Sequence, residues 1–392
     1  MTTFAPAPRH PALADALGEL PTEPFTEPFH RSVELVERYG GDWALELAAR
    51  LGLADGLASP ADAAELAARR GFAPSFVPAL DWILRRLAAD RAVAVTPDGR
   101  YHAAGELPAP SLAELRSLGL AEDPAIRPTL DLLDLAGGLY PALAQGEAHG
   151  ERALFGTGNI ALWCDYFDNR NPVYAINNRV TAVAVSHRLP GEGPSSVLEV
   201  GAGAGSATAA LLEELERAGR LGVIGRYEVT EPSAFFRRRG ERNSRARFPG
   251  VPLRYDTLDI NPPLAGEALA GDGFDLIFGV NVLHVARDLP ATLAALVGRL
   301  KPGGWLVAGE CIRLFPGQPV AAELVFLALE GFVNVELDRE RRPNPGFLTP
   351  EQWLRLFAEA GLSPVEIVPD LTRVRDLYPR FHTGAICGRR VR

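Results

Sequence analysis

From Ser195 onward the hydrophobic pattern switches repeatedly between short apolar runs and helical spacing. The runs "SVLEV", "RYEVT", "PLRYDTL", "FDLIFGV", "WLVAGEC", "SPVEIV" and "HTGAICG" each have strand length, and helices are expected after the first five. This alternation leaves few folds open. Parallel neighbours are reached only by crossovers, so the strands must form a mainly parallel sheet with helices on both faces. The last two runs stand close enough together for an antiparallel ending. The fold class that follows is α/β, a Rossmann-like sheet of seven strands.

The first run leads into "GAGAGS", with Gly201, Gly203 and Gly205 inside five residues and an amphipathic stretch directly after them. Glycines this dense serve a backbone that something must approach closely. In an open α/β sheet, ligands bind beyond the carboxyl ends of the strands, which is where this loop falls. A dinucleotide fingerprint, G-x-G-x-x-G, would need a glycine where Ser206 stands. Glu199 instead heads an E-x-G-x-G-x-G pattern. That suits a ligand with an amino-acid end, whose ammonium group an acidic residue would hold. Glu231, closing the second run, is placed to accept from two ribose hydroxyls, and Asp259, after the third, to meet an adenine amino group.

Composition narrows the class. With 392 residues and 47% hydrophobic content, the chain can bury two cores of unequal size. It has no apolar run of the roughly 20 residues that cross a membrane. No secretory leader is visible at its start, and Cys164, Cys311 and Cys387 lack metal-ligand spacing. A reducing, cytoplasmic location and no metal site are expected. A net charge of −9 speaks against a broad nucleic-acid surface. Lys301 is the only lysine, and with abundant Ala, Gly and Pro this points to a GC-rich bacterial genome.

The front half reads differently. Residues 1–25 are expected to be a flexible segment. Residues 26–110 give three helices and two short strands around Pro97-Asp98-Gly99, a winged-helix order, with Ser59 as one helix cap and Pro60 after it. "SFVPALDWILRRL" is apolar where a DNA-reading helix needs polar side chains, so a dimerisation module is the better reading. Residues 111–190 read as a helical linker and substrate lid, and 191–392 as the catalytic domain. In the lid, Trp163, Tyr166, Phe167, Tyr174 and Asn178 suggest a pocket wall. After the fifth strand, Glu330 and Asn334 are candidate polar contacts. Apolar surface in "WALELAARLGLADGL" and "FVPALDWILRRLAADRAVAV" suggests a homodimer.

Together the glycine loop, Glu231, Asp259, "FDLIFGVNVLH" and "LKPGGWLVAGE" resemble class I S-adenosylmethionine-dependent methyltransferases. "YEVTEPSAFF", "LDINPP", "NVLHVARDL" and "RLKPGG" are similar to the C-methyltransferase domains of polyketide synthases. The N-terminal half looks like the dimerising domain of small-molecule O-methyltransferases. The resemblance implies S-adenosylmethionine as cofactor, held by Glu199, Gly201, Gly203, Gly205, Glu231, Asp259, Ile260 and Asn281.

It also implies a catalytic dyad at His284 and Glu310. An imidazole can take a proton near neutral pH, and a carboxylate on the neighbouring strand could orient it. Ala286 stands where the family usually has Thr. The expected reaction is methylation of a polyketide-like or aromatic small molecule, at carbon first, with an O-methyltransferase or a non-methylating use of the fold as alternatives. The acceptor could arrive free or tethered to a carrier protein. The arginines of "FFRRRGERNSRAR" could receive such a carrier or simply face solvent. A regulator that senses the cofactor without catalysis is disfavoured by His284 and Glu310.

Overall fold

The computed structural model describes residues 11–391 apart from residues 104 and 192. Strands β1 (Ser195–Val200), β2 (Ile224–Thr230), β3 (Leu253–Asp256), β4 (Phe274–Val280), β5 (Leu300–Cys311), β6 (Leu362–Val368) and β7 (Thr383–Arg390) form one sheet. Its order is β3–β2–β1–β4–β5–β7–β6. The first five strands are parallel, and β7 runs antiparallel between β5 and β6. Every residue of β1 is buried, as a strand covered on both faces requires. A full helix is missing after β3, where only the 3₁₀ turn Glu267–Leu269 forms. The order reverses between β1 and β4, so their carboxyl ends splay apart and leave a crevice.

The N-terminal elements are Glu27–Arg50, Leu53–Gly56, Ala63–Arg70 and Val77–Ala89, then a hairpin of Ala94–Val95 with Tyr101–His102; the first expected helix is divided in two at Gly52, whose φ is 62°. The helix expected to begin at Ser59 and Pro60 starts later. Asp62 and Glu65 form a reciprocal capping box there, which satisfies two backbone donors at once.

The expected domain boundaries do not follow the packing. Of the supposed flexible segment, residues 1–10 lie outside the described residues, but Pro11–Leu17 is a helix. It buries Leu13, Ala16 and Leu17, and Asp370 N–H donates to Ala16 O at 3.1 Å. The long β5–β6 connection belongs to the helical core. Trp82 donates to Val320 O at 3.1 Å, and Tyr140 to Leu324 O at 2.7 Å. Glu37, itself paired with Arg86 at 3.0 Å, accepts from Ala321 N–H. Val320, Leu324 and Phe332 pack in one cluster with Trp43, Trp82 and Tyr140. The sheet and the helical half are therefore joined through a segment that sequence order assigns to the catalytic domain.

That packing removes the premise for a dimer. Leu47, Leu53, Leu80, Trp82, Ile83 and Leu84 are fully buried within one chain. Among the described residues before Ser111, Val95 is the only exposed large hydrophobic side chain. Light scattering at micromolar concentration is expected to return the mass of one chain, 42.1 kDa. A mass near twice that value would defeat the expectation.

Candidate active site

The crevice is built first from backbone. Gly201, Gly203 and Gly205 have φ of 64°, 54° and 87°, in the left-handed region that side chains strain to enter. Their reasons differ. A Cβ on Gly201 would come within 2.5 Å of Val282, which packing excludes, and one on Gly205 within 3.0 Å of the Gly240 backbone, which is crowded. A Cβ on Gly203 would meet no protein atom within 4 Å. Beside it, the Glu231 carboxylate accepts from Gly203 N–H at 2.9 Å and from Ser233 N–H at 2.8 Å. Burial raises the Glu231 carboxyl above its ordinary range. Across the crevice, Asn281 leaves β4 with φ of 53°. Its N–H donates to Gly309 O at 2.7 Å, and its side-chain oxygen accepts from Cys311 N–H at 3.2 Å.

The turn after Asn281 carries His284, which is 4% exposed. Glu310, near the end of β5, is fully buried and takes up its neighbours' donors. One oxygen accepts from Leu283 N–H at 2.9 Å and, at 3.4 Å, from His284 N–H. The other lies 2.6 Å from His284 Nδ1. With Nδ1–H donating to that carboxylate, the lone pair of the imidazole resides on Nε2. The rings of Phe347 and Phe332 hold the imidazole, with centroids 4.9 and 5.7 Å away.

His284 lines a cavity of about 600 Å³ that runs between the sheet and the helical half. Gly201, Glu231, Asp259, Ile260 and Asn281 line one part of it. Tyr166, Phe167, Tyr174, Phe326 and Phe332 make an aromatic wall. Burial holds the hydroxyls of Tyr166 and Tyr174 well above the phenol range, so both stay protonated.

Not every expected site residue reaches this space. Glu310 stands behind His284. Gly203 and Gly205 shape the loop without lining the cavity. Glu199 does not line it either. Its carboxyl is buried between the hydroxyls of Thr208, at 2.7 Å, and Tyr227, at 2.5 Å. Burial raises it to about 7. Trp163 lies behind the wall, donating to Leu154 O at 2.9 Å. Asn178 donates to Asn169, which in turn donates to Ser206 O, so this pair ties the lid to the glycine loop. Glu330 and Asn334 are off the wall, although their neighbours Leu329, Gly331 and Phe332 are on it. Sequence reasoning missed Phe326, Phe332 and Phe347, although it looked for substrate contacts in the same stretch after the fifth strand. Arg342, which touches the His284 turn, gave no signal within its run of charges.

Comparison with known proteins agrees with this geometry. Residues 198–306 match the methyltransferase domain family. A highly reducing polyketide synthase, acrA of Aspergillus aculeatus, is 30% identical over 242 residues, covering 61% of this chain and 9% of its own. The chain spans only about a tenth of the curated relatives it matches first. Among solved structures, the DszA carbon methyltransferase is 26% identical with a TM-score of 0.72, over 99% of this chain and 97% of its own. The CurJ carbon methyltransferase shares the fold with a TM-score of 0.78 at 21% identity, over 97% of each chain. The chain thus carries a class I methyltransferase domain, and S-adenosylmethionine is its cofactor. The residues present fit that molecule: an open cradle at Gly203, a carboxylate beside it, and an apolar cavity that meets the loop at Gly201.

The displaced Glu199 yields a stability test. Its folded value of about 7 lies above that of an unfolded glutamate, so the unfolded chain ionises first as pH rises. Stability is therefore lost between about pH 4.5 and 7, by on the order of 3 kcal/mol. Glu199→Gln removes the ionisation while keeping an oxygen for Thr208 and Tyr227. It is expected to melt higher than wild type at pH 8, with the advantage vanishing toward pH 4.5. Parallel melting curves at both pH values would refute the assignment.

Proposed function

We propose that this S-adenosylmethionine-dependent methyltransferase methylates an enolisable carbon of a polyketide-like acyl group, with His284 as general base. The observation that carries the reading is the buried His284–Glu310 pair on the wall of the cavity that also meets the cofactor residues. The cofactor supplies an electrophilic methyl on a sulfonium, which needs no further activation. What the protein must add is a nucleophile, alignment and a dry site.

Nε2 of His284 takes the proton from the acceptor's α-carbon; the electron pair left behind would form the new carbon–carbon bond to the sulfonium methyl, while the sulfur–methyl bond breaks and its pair stays on the sulfur of S-adenosylhomocysteine. Glu310 keeps the ring in the tautomer that leaves Nε2 free and steadies the imidazolium that results. The aromatic wall excludes water that would otherwise reprotonate the carbon. Glu231 would take the ribose hydroxyls through lone pairs that Gly203 and Ser233 leave open. Asp259 and Ile260 would take the adenine end, and the Gly201–Gly205 loop the methionine end. An oxygen acceptor could use the same base. Likeness to a carbon methyltransferase along nearly the whole chain favours carbon.

The test uses methyl-labelled S-adenosylmethionine and a β-ketoacyl pantetheine thioester, with the position of the label read by mass spectrometry. His284→Ala is expected to lower turnover by about 10²–10⁴-fold, the usual scale for loss of a general base, and Glu310→Gln by less. Affinity for S-adenosylmethionine should hold in both. Label on oxygen, or a wild-type rate in His284→Ala, would end this reading.

The glycine loop gives a second check. Gly203→Ala places a methyl in the open cradle at a backbone cost of about 1–2 kcal/mol. It is expected to stay folded while binding S-adenosylmethionine at least about tenfold more weakly, a loss of about 1.4 kcal/mol. Unchanged affinity by calorimetry would move the cofactor away from this loop.

A further inference from the structure

In the β5–β6 connection, Asp338 and Arg342 close a tight turn with two backbone hydrogen bonds, each 2.9 Å. The turn sends Arg341 outward to Glu359 and Arg342 inward. There Arg342 is 3% exposed. It donates to Ala286 O at 2.7 Å and to His284 O, so it grips both sides of the catalytic turn. Its Nε finds no partner, and it makes no ion pair among the described residues.

A buried cation without an ion pair is costly, so its position against the His284 turn calls for a reason. Burial lowers the Arg342 guanidinium to about 10, with the Glu310 charge opposing, so it stays cationic at neutral pH. The other cation acting on it, Arg313, is neutralised by its own partner Glu323. On the facing wall, Tyr174 is a protonated phenol, Cys311 is held a neutral thiol by burial, and Asp259 and Glu231 lie on the cofactor side. Glu37, Glu151 and Arg380 also line the cavity, but Glu310, at the His284 ring, and Arg342, at the His284 carbonyl, are the charged groups that hydrogen-bond to His284 itself.

We infer that Arg342 is a positioning residue and counter-charge for the His284–Glu310 dyad: it clamps the His284 turn by two carbonyls, and its charge offsets Glu310 so that the imidazole meets the acceptor as the free base. The inference rests on His284 being the base. When His284 takes a proton, the dyad passes from one negative charge to neutral. With Arg342 included, the buried group passes from neutral to one positive charge. Arg342 therefore opposes premature protonation and helps the proton leave after each turnover.

The test follows the His284 ring-proton signal against pH by NMR, with S-adenosylhomocysteine bound and the signal assigned by its loss in His284→Gln. In Arg342→Met and Arg342→Gln the midpoint is expected to move upward from wild type by about one pH unit or more, as loss of a nearby like charge does. Arg342→Lys, which keeps the charge, should stay near wild type. The double variant Glu310→Gln/Arg342→Met should move back down. Methyl transfer by the neutral variants should correspondingly fall further at pH 6.5 than at pH 9. A role in folding alone would lower the melting temperature and leave the midpoint in place, and that result overturns the inference. So does failure of both neutral variants to fold. If no form of the enzyme methylates carbon, the proposed reaction fails while the titration still decides the role of Arg342.

Discussion

A carboxylate that water cannot reach must find its hydrogen bonds in the protein, and Glu310 finds them in one short turn. Leu283 N–H, His284 N–H and His284 Nδ1 all converge on it from the end of the neighbouring strand. Burying a charge so fully is tolerable only when it is hydrogen-bonded and electrostatically answered. The geometry therefore propagates outward. β4 and β5 must be adjacent and in register, the turn after β4 must be tight, and Arg342 from a distant segment grips the carbonyls of that turn. The active site is the solution to that one burial problem.

The segment that brings the cation also unites the molecule. Between β5 and β6 the chain leaves the sheet and inserts Val320 and Leu324 into the helical core, where Trp82 and Tyr140 hydrogen-bond its carbonyls. It then returns past Phe332, Arg342 and Phe347, all of which touch the His284 turn. The wall around the imidazole is thus shared between two cores. Repacking of the helical half, far along the sequence from the chemistry, would be felt at His284, because close-packed interiors transmit displacement.

Much of this could be read from residue order. The seven strands lie where the apolar runs are, since a strand buried on both faces has few alternatives to a continuous run. The glycine loop, Glu231 and the His284–Glu310 pair were legible because each depends on strand ends, and strand ends follow from the runs. The failures have equally local causes. Glu199 was expected to face the ligand, but alternation along β1 turns it toward Thr208 and Tyr227. Residues 11–25 were expected to be loose, although Leu13, Ala16, Leu17 and Leu20 already trace a helical stripe. The apolar helices before Ser111 suggested a second subunit because nothing in their own sequence shows that residues 320–332 cover them.

What the sequence by itself determined is the sheet, its crevice and the pairing of residues carried on adjacent strand ends. These rest on periodicity and chain connectivity, which are local. Tertiary structure decided which side chains line the cavity, which stand behind it, and which charge answers Glu310. Tyr166 and Trp163 are three residues apart on one short helix, yet one lines the cavity and the other lies behind the wall. Arg341 and Arg342 are adjacent, and one pairs at the surface with Glu359 while the other is buried against His284. Such choices depend on contacts between segments far apart in the chain, and only the assembled fold sets them.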